Sequence, residues 1–128
     1  RYREFVSILV MSLITKRFAR NEPPYNAEAI SEECQIPIQL TQRTLYELQE
    51  INLIHEVASD EKGEDIAYQP SMDIHQLNVA VLLDRLDTHG SEDFKIDKDT
   101  TYNDEWVVLM KAKEEYYKSA GNVLLKDL

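Results

Sequence analysis

Pro37 limits what this chain can fold into more than any other residue. It lies inside the stretch from Asn26 to Ala58, NAEAISEECQIPIQLTQRTLYELQEINLIHEVA, between two runs of helical period. Proline has no backbone N–H to donate, and it pushes the residue before it, here Ile36, out of helical geometry. One helix must therefore end before Pro37, and a second can begin at it. Asn26 has the side-chain oxygen to cap the first helix, and Ala27, Ile30 and Cys34 recur on one face. In the second helix Thr41, Leu45 and Leu48 form the inward stripe. Gln39, Gln42, Arg43, Tyr46, Glu47 and Glu50 fall elsewhere and are expected to face out. Asn52 tolerates the left-handed backbone that ends helices, and Leu53 to Val57 then changes to strand character. The pattern is a helix-turn-helix running into the first strand of a hairpin.

The flanking segments build on this unit. Residues 1–20 read as one helix, with Phe5, Val6, Ile8, Leu9, Val10, Met11, Leu13, Ile14 and Phe18 around most of its circumference. A helix this apolar is buried on more than one side, either in the domain centre or partly against a second copy. Asn21 to Tyr25 is a stiff connector with two prolines. Past the second helix, residues 53–58 and Ile66 to Gln69 flank a polar loop containing Gly63, and Pro70 ends the return strand; this is a hairpin wing. Ile74, Leu77, Val81, Leu82 and Leu86 mark a helix over 74–88, ahead of Gly90. After a polar connector, Trp106, Leu109, Met110, either Tyr116 or Tyr117, and Ala120 mark a last helix over 102–120. The expected fold is a single mainly α domain over 1–128. Its winged helix-turn-helix occupies 26–70, with a small two-stranded β-hairpin as the wing and flanking N- and C-terminal helices.

No catalytic, cofactor or metal site is expected from this sequence. One cysteine, Cys34, is incompatible with an internal disulfide framework or a cysteine metal cluster. Its place on an inward helix face suits core packing and a reducing, cytoplasmic setting. None of His55, His75 and His89 pairs with another at the helical spacing a metal site uses. Asp97-Lys98-Asp99 begins like a calcium loop, but Tyr102 stands at the glycine position and Val108 where a bidentate Glu is required. No glycine-rich phosphate loop occurs, and no nucleophile stands beside a base.

A helix-turn-helix invites a nucleic-acid reading. Gln39, Gln42, Arg43 and Tyr46 would line the reading helix, with Lys62 on the wing, and Gln and Arg do read base edges. Summed charge argues the other way. The whole chain carries −10, and residues 26–70 hold two basic against ten acidic groups, a net of −8. Affinity for a duplex comes largely from neutralising phosphates. Residues 1–25, with five basic against two acidic, are the basic end at +3. Arg1, Arg3, Lys16, Arg17 and Arg20 there suit either a solvated helix rim or a cluster meeting anionic lipid.

Two resemblances follow from these residues. The stretch 26–58 resembles the winged helix of Rrf2-type regulators in its Ile36-Pro37 turn, its Leu45 and Leu48 core positions and its Asn52-Leu53-Ile54 exit, where Asn52 replaces a usual glycine. That likeness implies a DNA-binding regulator, but one without an iron–sulfur cluster, since one cysteine cannot hold it. In layout the whole chain also resembles the C-terminal tail of YihY/BrkB-like membrane proteins, which carry the label ribonuclease BN. It shares with them a helix entered by basic and aromatic residues, a Pro-rich break and then AEAISEECQIPIQLTQRTLYELQEINLIHEV. This second likeness implies a six-helix membrane region before Arg1, a place on the cytoplasmic side of the inner membrane and a link to tRNA processing. Charge and layout together favour the second. The expectation is a non-catalytic interaction or structural domain of a membrane protein, binding a protein partner or a second copy through its N- and C-terminal helices. DNA-binding regulation and a part in a ribonuclease are the alternatives.

Overall fold

The computed structural model describes residues 2–59, 65–89 and 103–128. In chain order these form α1 (Tyr2–Ala19), α2 (Ala27–Cys34), α3 (Ile38–Glu50), β1 (Ile54–Ala58), β2 (Ile66–Pro70), α4 (Val79–His89) and α5 (Asn103–Ala120), followed by a 3₁₀ turn at Leu125–Asp127. The fold is mainly helical with one hairpin, a winged helix. β1 and β2 are antiparallel, with Ile54 opposite Pro70 and Ala58 opposite Ile66. The connector before α2 lies along the outer edge of β2, where the Tyr68 N–H donates to the Tyr25 carbonyl at 3.0 Å.

α1 is the central helix. α2, α3, α4, β2 and the C-terminal turn all pack on it. Val10, Met11 and Ile14 are at most 1% exposed, which accounts for its wide apolar circumference. Ile30, Leu45, Leu48, Leu53, Leu77, Leu82 and Leu86 close around them. Buried hydroxyls find partners within their own helices: Thr15 Oγ1 donates to the Met11 carbonyl at 2.7 Å and Thr44 Oγ1 to the Leu40 carbonyl at 2.8 Å. No buried side-chain polar atom among the described residues lacks a partner.

Two features depart from the periodicity of the sequence. The fourth helix begins at Val79, although Ile74 and Leu77 are buried as expected. Side-chain oxygens compete with the helix here. Asp73 Oδ1 accepts the His75 N–H at 2.9 Å and closes a turn, and Asn78 Oδ1 accepts the Val81 N–H at 2.9 Å, starting the helix afresh. The second departure is the C-terminus. After α5 the chain returns to the body: the Val79 N–H donates to the Val123 carbonyl at 2.9 Å, the Leu125 N–H to the Leu77 carbonyl at 3.1 Å, and Leu125 is fully buried against α1. Gly63, Lys62, Gly90 and the Asp97–Asp99 run lie outside the described residues.

Candidate nucleic-acid interface

The turn between α2 and α3 is built from local hydrogen bonds. Asn26 caps α2, its Oδ1 accepting the Ala29 N–H at 2.8 Å. Gln35 ends α2 in the left-handed region at φ 54°, which frees the chain to reverse. Ser31 Oγ donates to the Ile36 carbonyl at 2.6 Å and staples the turn. Pro37 then starts α3 with its carbonyl accepting from the Thr41 N–H at 3.0 Å. No side chain caps α3, and its first turn holds no acid. The first backbone N–H groups of α3 thus carry the positive end of its dipole to the surface. At the far end Asn52 takes φ 61° and the Leu53 N–H reaches back to the Leu48 carbonyl at 3.0 Å.

Burial of Thr41, Thr44, Leu45 and Leu48 settles which way α3 faces. Gln39, Gln42, Arg43 and Tyr46 are exposed, at spacings of three and four residues that place them on one strip. None of the Gln39, Gln42 and Arg43 side chains is engaged by another described residue, whereas Arg3, Arg17 and Arg85 are all committed. Arg17 stacks on the Tyr25 ring at 4.1 Å and donates to the Pro23 carbonyl at 2.6 Å. Arg85 donates to the Ile51 carbonyl at 2.9 Å, satisfying the end of α3. Lys62, the fifth residue expected to face a nucleic acid, lies outside the described residues.

The charge tally made from the sequence counted carboxylates without regard to where they point. Glu47 is half-buried and turned from the strip toward the start of α1, where Arg3 Nε holds its Oε1 at 2.8 Å. Arg3 also donates to the Leu86 carbonyl at 3.2 Å, so one guanidinium joins α1, α3 and α4. Glu50 stands exposed at the last residue of α3, one turn beyond Tyr46, and its carboxylate holds that phenol above its ordinary range. From Ile38 to Tyr46, α3 contains one Arg and no acid. Sequence arithmetic could not find this, because Arg3 and Glu47 are 44 residues apart.

The remaining polar chemistry offers less. A cleft of about 310 Å³ between the start of α1, α4 and α5 is lined by Glu4, Leu83, Asp87, Lys113, Tyr116 and Tyr117. Its groups satisfy one another: Lys113 Nζ and the Tyr117 hydroxyl donate to Asp87 Oδ2 at 2.9 and 2.7 Å. These bonds, Lys113 first, hold the Asp87 carboxyl below the usual carboxylate range. Cys34 packs half-buried against the core, and burial raises its thiol pKa, with Glu33 adding to the effect. His55 Nδ1 lies 3.0 Å from Ser71 Oγ and His75 Nδ1 2.9 Å from Asp73 Oδ1. No cluster of three metal-ligating side chains occurs among the described residues.

These elements define a winged helix-turn-helix domain with an outward strip that is free of acids from Ile38 to Tyr46. Solved structures share its path over nearly the whole chain. T. potens IscR superposes with a TM-score of 0.70 at 15% identity, covering 99% of this chain and 82% of that one. CymR, the global cysteine regulator of B. subtilis, gives 0.69 at 10% identity, covering 99% and 92%. Staphylococcus aureus CymR gives 0.64 at 13% identity, covering 98% and 93%. No protein-family model and no curated protein matches the sequence.

These likenesses correct the expectation of a ribonuclease BN-type, YihY/BrkB-like membrane-protein domain with a purely structural role. The whole-chain neighbours are IscR and CymR, regulators of the Rrf2 type rather than membrane proteins. The first helix misled because an apolar helix with basic ends looks the same whether it leaves a bilayer or crosses a domain centre. Here it crosses the centre. Among the described residues no helix is long and apolar enough to span a membrane.

Proposed function

We propose that this chain is a DNA-binding transcriptional regulator of the Rrf2 type that acts as a homodimer. The observation that carries the reading is the exposed strip Gln39, Gln42, Arg43 and Tyr46 on the second helix of the turn. In helix-turn-helix proteins that helix enters the major groove and its first residues meet base edges. The uncapped start of α3 adds backbone N–H groups suited to a phosphate oxygen. Likeness to IscR and CymR, in a fold that also serves other purposes, supports the same reading.

Self-association is supported by α5. It is 18 residues long and none of them is buried; Val107, Val108, Leu109 and Tyr116 are 40–68% exposed. A helix so little buried is marginal in water and gains most of its stability from packing. A second copy supplies that packing in a two-fold arrangement, in which each surface meets itself. If two α5 helices cross antiparallel, the acidic start of one (Asp104, Glu105) meets the basic end of the other (Lys118). The start of α1 adjoins α5 across the cleft and adds Tyr2 and Phe5, 83% and 63% exposed.

A mobility shift with the intact chain on fragmented genomic DNA at low salt tests the reading. The expected result is a retarded complex that weakens as salt rises. No complex at low salt, where attraction is greatest, overturns it.

A further inference from the structure

The side chains left free on α3 differ sharply in what they can recognise. Gln39, Gln42 and Arg43 are exposed and unengaged by other described residues. Of the acids on this helix, Glu47 is turned aside and held by Arg3, and Glu50 stands exposed only at its last residue. A carboxylate accepts from the amino group of cytosine, an amide bonds adenine N6 and N7 as a pair, and a guanidinium bonds guanine O6 and N7 as a pair. From Ile38 to Tyr46 the strip therefore holds readers for both purines and no carboxylate reader for cytosine. The exposed ring edge of Tyr46 is an apolar surface of the kind that meets a thymine methyl.

Spacing limits the register. At about 1.5 Å rise per residue, Gln39 and Arg43 are separated by roughly 6 Å along the helix. Stacked base pairs are about 3.4 Å apart. Two such side chains reach bases within about two steps of each other.

We infer that each protomer reads a short purine element in the major groove: one guanine taken by Arg43, within about two base-pair steps of adenine taken by Gln39 or Gln42. This rests on the DNA-binding reading above and adds the chemical class of the sequence recognised. Arg43 carries the largest share of discrimination, because it is the only cation between Ile38 and Glu50. Lysine is the weaker substitute, since its ammonium also donates to O6 and N7 but lacks the planar fork that fixes both bonds at once.

Selection from a randomised duplex library with the intact chain at low salt, followed by titration of the selected site and its single-base variants, tests this. The expected consensus contains guanine next to or one step from adenine. R43A lowers the preference at the guanine by about 5- to 150-fold and leaves the adenine preference in place. R43K retains binding and a guanine preference weaker than that of the wild type. Q39A and Q42A lower only adenine preference. All three positions are exposed, so unchanged thermal melts serve as the folding control. A consensus without guanine, or an R43A variant with every preference intact, overturns the purine assignment while leaving the DNA-binding reading standing. A wild-type chain that binds no member of the library overturns both.

Discussion

Two residues show how much depends on a single backbone angle or a single ion pair. Gln35 holds φ 54° at the turn between α2 and α3. An L-residue with a β-carbon bears a cost of about 1–2 kcal/mol there, partly offset in glycine by the greater freedom of its unfolded chain. Gln35→Gly is expected to raise stability by about 0.5–1 kcal/mol in urea denaturation, with no loss of exposed reading groups. Arg3 is the second case. Its loss frees Glu47 beside the reading strip and removes a donor from the Leu86 carbonyl. Arg3→Ala is expected to cost no more than about 1 kcal/mol, since the pair is partly exposed. It is also expected to weaken DNA binding at low salt more than at high salt, because the freed carboxylate repels phosphate over a screened distance. Equal weakening at both salts would mean that Arg3 acts through packing alone.

Among the elements, α5 and the C-terminal turn behave oppositely although they are neighbours in sequence. The turn is anchored in the core by Leu125, fully buried. Leu125→Ala is expected to cost about 2–5 kcal/mol, as other core truncations do, and to lower the melting temperature of the whole domain. α5 is joined to α4 through Asp87, Lys113 and Tyr117. The Asp87 carboxyl lies below its ordinary value when folded, so the stabilisation is present at neutral pH and is lost as pH falls below about 4. The effect is no more than about 1 kcal/mol for so exposed a group. Trp106, the single tryptophan, lies on α5 and can report the change. Its emission is expected to respond to acidification in the wild type and to respond less in Asp87→Asn. Identical titrations would show that Asp87 does not hold the helix.

For the whole molecule the dominant question is charge against shape. In the proposed function a polyanion would meet a chain of net −10, so recognition would have to rest on local groups. Counting Arg43 and Lys62 once per protomer gives four cations in a dimer, for which the logarithmic salt slope is about −4 or shallower. Titrating the complex across salt concentrations checks this, and a slope near −10 would mean that basic groups elsewhere do the binding. Sedimentation checks the assembly: the expected species is twice the 14.9 kDa of one chain. Leu109→Glu, on exposed α5, is expected to shift it to monomer without lowering the monomer's own stability.

The sequence by itself determined what short-range chemistry decides. Asn26, Pro37 and Asn52 punctuate the helix-turn-helix through their own backbones and caps, and Leu45 with Leu48 orients α3 through period alone. The hairpin and the mainly helical class were legible for the same reason. Tertiary structure alone decided the sign of the reading strip, the return of Leu125 to α1 and the exposure of α5. Each depends on which distant groups meet. A carboxylate's field at a surface is set by its distance and its partner, and segment charge holds neither. A leucine at the end of a chain carries no period to announce that it is core. The exposure of α5 reflects how few contacts it makes with its own body, a property of the assembled fold that no stretch of eighteen residues contains.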